Sequence, residues 1–168
     1  MAPIIVPGAM STYDWLLFLH ITGAFLFTGG VFVAGAFNLV AQSRERPSEI
    51  ALFLGLTRYA VVVIGVGSLM TLVFGLWLVS EAPRGYGYGQ AWVIAAIVLW
   101  IVGNAIGGQG GSREKATRVF AERLAEENDA PSAELRARMR DPLTVVLSYG
   151  GGVLLIAMIA VMVWKPGA

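Results

Sequence analysis

Four long apolar runs joined by short polar links dominate what this chain can fold into. They cover about 15–41, 50–80, 91–108 and 143–164. Each is close to or above the ~20 residues that carry a helix across ~30 Å of hydrocarbon, and the first is long enough to tilt or protrude. Lipid is therefore the expected solvent. The composition agrees: 57% hydrophobic and 14% charged residues, with a mean hydropathy of +0.70, leave too little polar surface for a soluble domain. The expected fold class is all-α, a four-transmembrane-helix bundle forming one integral membrane domain over residues 1–168. A helical hairpin is expected in the polar loop 109–141 between helices 3 and 4.

Local signals mark the ends of the spans. Tyr13, Asp14 and Trp15 open the first, and Ser43, Arg44, Glu45, Arg46 and Pro47 close it. Asp14 suits the positive end of a helix dipole. Ser48 is expected to cap the second span, with Glu49 in its first turn and Arg58 snorkelling toward water. Pro142 starts the fourth, and Lys165, Pro166 and Gly167 end it. In the loop, Ser112 is expected to cap a helix with Ala116, Val119, Phe120 and Leu124 on one face. Pro131 and Ser132 are expected to start a second short helix running to Arg140.

Basic residues orient the bundle. Arg44, Arg46 and Arg58 flank the first loop, and Arg113, Lys115, Arg118, Arg123, Arg136, Arg138 and Arg140 fill the third. Only Arg84 and Lys165 lie on the opposite side. The positive-inside rule then puts the basic loops in the cytoplasm and both termini outside, in a cell inner (plasma) membrane of bacterial type. Residues 1–11 carry no Lys or Arg, so the first helix is expected to be retained and not cleaved as a signal.

Much chemistry is excluded. There is no cysteine, hence no disulfide, thiolate metal site or cysteine nucleophile. A net charge of +1 argues against nucleic acid as a partner, and no phosphate-binding loop, HExxH or GxSxG occurs. The expected partners are the lipid bilayer and a second copy or another membrane protein.

The candidate for chemistry is His20, the single histidine, which lies inside the first span. Imidazole ligates haem iron, copper or zinc and relays protons, while a neutral histidine near the interface can also simply bond a carbonyl or headgroup. Gly23, Ala24, Phe27 and Thr28 share its helical side, so a planar group or another backbone can approach there. Gly67, Thr71 and Gly75 repeat that pattern in the second span, and Gly103 and Gly107 in the third. Were iron held by His20, its opposite ligand would be Met70, Met158, Met162 or a second His20 from a symmetric dimer; Met158 and Met162 match its depth best. Ordinary packing also explains a membrane methionine. Asn38 and Asn104 are expected to hydrogen-bond between helices.

The stretch from Tyr13 through His20 to Ala24, followed by Gly29, Gly30 and a basic loop, resembles the first helix of a bacterial family of predicted integral membrane proteins of unknown function. That family is similar in pattern to the CopD copper-resistance proteins and to HemJ, the membrane protoporphyrinogen oxidase. The resemblance implies His20 as a haem or copper contact. This chain departs from both: the basic residue deeper in the membrane of HemJ-like proteins and the methionine- and histidine-rich sites of a copper transporter have no counterpart here. The leading expectation is a small membrane subunit binding haem b through His20, with a redox or haem-handling role. The alternatives are a non-catalytic accessory subunit packed through its glycine faces, and a small metal or solute transporter.

Overall fold

The computed structural model describes residues 10–81 and 85–167. Most of the basic-free start at 1–11, and Arg84 of the charge bias, lie outside the described residues. The elements are α1 (Thr12–Gln42), α2 (Pro47–Glu81), α3 (Ala91–Glu127), α4 (Ala133–Met139) and α5 (Pro142–Trp164). Among the described residues there is no strand, and α1, α2, α3 and the α4–α5 segment are each long and apolar enough to cross a membrane.

The bundle is built for lipid. Its outer faces carry Phe25, 78% exposed, with Phe32, Val62, Val146, Val153 and Ile156 also exposed, a surface that water would not tolerate. Inside, small residues set the spacing. A Cβ on Gly23 would lie 2.8 Å from the Thr71 backbone nitrogen, and one on Gly67 would lie 2.8 Å from the Gly23 carbonyl oxygen. Two backbones meet here without intervening side chains, as dispersion-driven packing in lipid favours. The α1–α2 and α3–α5 pairs are the closely packed ones, whereas α1 barely meets α5. Space is left between the pairs.

Two helix boundaries differ from the sequence reading. The third span does not stop near 108, because α3 runs unbroken to Glu127. Ser112 is therefore no N-cap; it sits mid-helix with its hydroxyl donating to the Gly108 carbonyl at 2.9 Å. The glycines at 107, 108, 110 and 111 weaken a helix by about 1 kcal/mol each but contain no proline to stop it. Buried Gly110, Thr117 and Ala121 hold the continuation against the rest of the bundle. Ser48 is likewise not a cap, since α2 already includes Pro47. Instead, the Asp129 carboxylate accepts from the Ser48 backbone N–H and hydroxyl, both at 2.8 Å.

The second loop helix is present, with Ser132 as its N-cap and Leu135 N–H donating to the Ser132 hydroxyl. It folds back so that Leu135 and Met139 join Ala41, Ile50, Leu54 and Ala121 in a closed apolar cluster at the basic end.

Candidate functional site

At the other end, α1 starts with a reciprocal cap: the Asp14 N–H donates to the Ser11 hydroxyl, and the Ser11 N–H and hydroxyl donate to the Asp14 carboxylate. Roughly two turns further along, His20 faces α2. Its Nδ1 lies 2.9 Å from the Thr71 carbonyl oxygen. A carbonyl only accepts, so Nδ1 carries the proton, and in the neutral ring Nε2 carries the lone pair. Among the described residues, Nε2 has no hydrogen-bond partner.

Gly75 makes room for the ring. A Cβ there would lie 2.8 Å from His20 Cε1 and 2.9 Å from Nδ1. The faces that the sequence marked on helices 1 and 2 thus meet, and the imidazole is clasped between a carbonyl and a glycine one turn apart.

His20 lines a cavity of about 240 Å³ whose walls include Tyr13, Tyr86, Trp92 and Trp100. Met158 and Met162, the thioethers paired with His20 by depth, line the same cavity; Met70 is not among its lining residues and packs against Gly23 instead. Lys165 also borders this space, its Nζ 4.9 Å from the Tyr86 ring centre and 5.4 Å from that of Trp92. It terminates α5 in a left-handed conformation, φ 43°, with its N–H donating to the Val161 carbonyl at 2.9 Å.

A second cavity, about 660 Å³, opens between the helix pairs toward the basic end and shares Trp100 and Met158 with the first. Its polar side contains a feature that the sequence reading missed. Glu114 accepts from the Asn38 side-chain amide at 3.2 Å and is in close hydrogen-bond contact with the Thr57 hydroxyl. Gln42 donates to the Asn38 carbonyl oxygen at 2.9 Å and to the Tyr149 hydroxyl at 3.4 Å. One polar chain thereby joins α1, α2, α3 and α5. Glu114 was hidden among loop charges because α3 was expected to end before it; its spacing after Gly107, Gly110 and Gly111 was the available signal. Asn104 does bond between helices, accepting from Ser68, which in turn accepts from the Trp100 indole N–H at 2.9 Å.

The Gly103–Gly107 stripe behaves differently from the α1–α2 glycines. A Cβ on Gly107 or Gly108 would meet nothing within 4 Å, so these residues border open space and not a close helix contact.

A family described as predicted integral membrane protein (DUF2269) matches residues 14–166. The chain belongs to this family. The match runs from Asp14, at the cap of α1, to Pro166, just past α5, and so includes every described residue that lines either cavity except Tyr13. No curated protein and no solved structure matches the chain.

Proposed function

We propose that this member of the family is a small haem-binding subunit, with a redox or haem-handling role, that holds haem b through His20. What carries the reading is the His20–Thr71 bond, which leaves the Nε2 lone pair as the ring's free donor beside a cavity walled by aromatic rings and thioethers. Met158 and Met162 are the thioethers that would join His20 in holding the haem. Lys165 offers a cation to a ligand carboxylate at the same cavity. The donor set fits an iron centre. The volume fits less fully, since pockets that enclose organic ligands run to roughly 300–1,000 Å³. At about 240 Å³ the cavity falls short of that range, so a bound macrocycle would have to extend beyond it, and Trp100 and Met158 are the side chains it shares with the larger second cavity.

Haem would supply one-electron chemistry. The protein's own part is to keep the imidazole in one tautomer and orientation, present a thioether, and flank the site with aromatic rings. The clustered arginines support reading the basic end as cytoplasmic, and on that reading His20 would lie near the outer face of a bacterial inner membrane.

A second reading follows from the same volume: one imidazole and two thioethers suit a single soft metal ion such as Cu(I), which needs far less space. One preparation tests both. The full chain, purified in mild detergent, is titrated with haem and separately with Cu(I) against a chromophoric chelator, beside His20→Ala. A Soret band in wild type that His20→Ala lacks supports haem. Competition for Cu(I) without a Soret band moves the assignment to copper, and neither signal sinks both in favour of an accessory subunit.

A further inference from the structure

The larger cavity has the anatomy of a site for an amphiphile. Its inner wall is apolar, with Phe27, Leu99, Trp100 and Leu155 among the lining side chains. Its rim near the basic end carries Arg58, Lys115 and Arg118. Their pairing is uneven. Arg118 bonds Glu122 at 2.5 Å, whereas Arg58 donates to the Tyr59 hydroxyl and lies over its ring, and Lys115 makes no ion pair among the described residues. Glu114, the carboxylate at the cavity, is already engaged by Asn38 of α1 and Thr57 of α2. Two cations at the rim therefore lack a carboxylate partner among the described residues. Exposed Val61 and Gly65 of α2 also border the cavity, so its edge reaches the lipid-facing surface.

We propose that this cavity binds one anionic phospholipid, its acyl chains against the apolar wall and its phosphate held by Arg58 and Lys115. Charge selects the occupant: a headgroup phosphate supplies the anion that these two rim cations lack among the described residues, while a zwitterionic lipid adds a repelling ammonium group. The open space beside Gly107 and Gly108 provides room for chains that side chains would otherwise fill. Its cations, Arg58 and Lys115, are not among the residues lining the His20 cavity, although Trp100 and Met158 border both spaces.

The test exchanges the purified full chain from phosphatidylglycerol-doped into lipid-free mild detergent, then quantifies retained lipid by native mass spectrometry, with phosphatidylcholine as the parallel probe. Wild type is expected to retain phosphatidylglycerol and to release phosphatidylcholine. The double variant Arg58→Gln/Lys115→Gln, altered only at exposed side chains, is expected to bind phosphatidylglycerol about 30-fold more weakly. Gly108→Leu, which starts in open space, is expected to expel the lipid by filling the cavity while leaving the helix content and unfolding midpoint unchanged or raised. Equal retention of both lipids, retention of neither, or phosphatidylglycerol retention unaffected by either variant overturns the proposal. So does a retained uncharged isoprenoid that Gly108→Leu releases and the double variant does not.

Discussion

His20 Nδ1 and the Thr71 carbonyl oxygen lie 2.9 Å apart across the α1–α2 interface, at the level where Gly75 leaves space for the imidazole. The bond does two things. It satisfies half of a polar ring in a lipid-embedded bundle, and it decides which ring nitrogen is left to act.

Gly75→Ala tests that arrangement directly. The added Cβ, 2.8 Å from His20 Cε1, forces the ring off its carbonyl. Overpacking of this kind costs about 1–3 kcal/mol, against at most about 1 kcal/mol gained in helix propensity. A lowered unfolding midpoint in detergent is expected, together with weaker binding of whichever group His20 ligates. An unchanged midpoint and unchanged binding would show that the ring has room to spare.

Glycines in this bundle separate into two kinds. Gly23→Ala and Gly67→Ala press a Cβ into backbone and are expected to destabilise by about 1–3 kcal/mol. Gly29→Ala and Gly65→Ala meet nothing within 4 Å and are expected to be neutral or stabilising by up to about 1 kcal/mol. Paired unfolding curves in one detergent decide this, and similar losses for all four variants would contradict the close α1–α2 packing.

Glu114→Ala leaves Asn38 and Thr57 without their shared partner and is expected to cost about 1–3 kcal/mol. Glu114→Gln keeps the shape and supplies an N–H. The Thr57 hydroxyl also lies 2.6 Å from the Leu54 carbonyl, to which its single proton can go while the introduced side-chain amide donates to its oxygen. The glutamine variant is therefore expected to retain most of the wild-type midpoint, and a glutamine loss as large as the alanine loss would refute this account.

Asp129 gives a pH dependence outside the membrane. The Ser48 backbone N–H, then the Ser48 hydroxyl, holds its carboxyl below the usual carboxylate range, with a smaller contribution from Arg46. A depressed folded value means that this cap is at full strength above the unfolded value and is lost as pH falls through the folded one. Hydrogen exchange at the start of α2 is expected to slow in wild type relative to Asp129→Ala near neutrality, and the two proteins should converge in strong acid. A difference that persists at every pH would assign the protection to something other than the charged carboxylate.

The bundle was legible because its cause is local. The fifth helix, bounded by Pro142 and Lys165, follows from hydropathy and end chemistry, as does the short helix capped by Ser132. The shared depth of His20, Met158 and Met162 was readable too, since rise per residue along antiparallel spans sets it. Ser112 misled because it is a good capping residue in a glycine-rich stretch, and only packing against α5 shows that the helix continues. Glu114 was missed for the same reason: its partners stand 76 and 57 residues away in the chain.

By itself the sequence determined that this chain belongs in lipid, that it crosses as helices, and that one imidazole lies within the first of them. Apolar length and the cost of unpaired backbone groups in hydrocarbon settle those matters without reference to neighbours. Only the tertiary structure decided which nitrogen of His20 is free, that Gly75 and not Gly107 is a contact glycine, and that Glu114 ties the spans together. Each of those depends on which helix lies opposite and at what register, and small residues and hydrogen bonds between distant segments set that register.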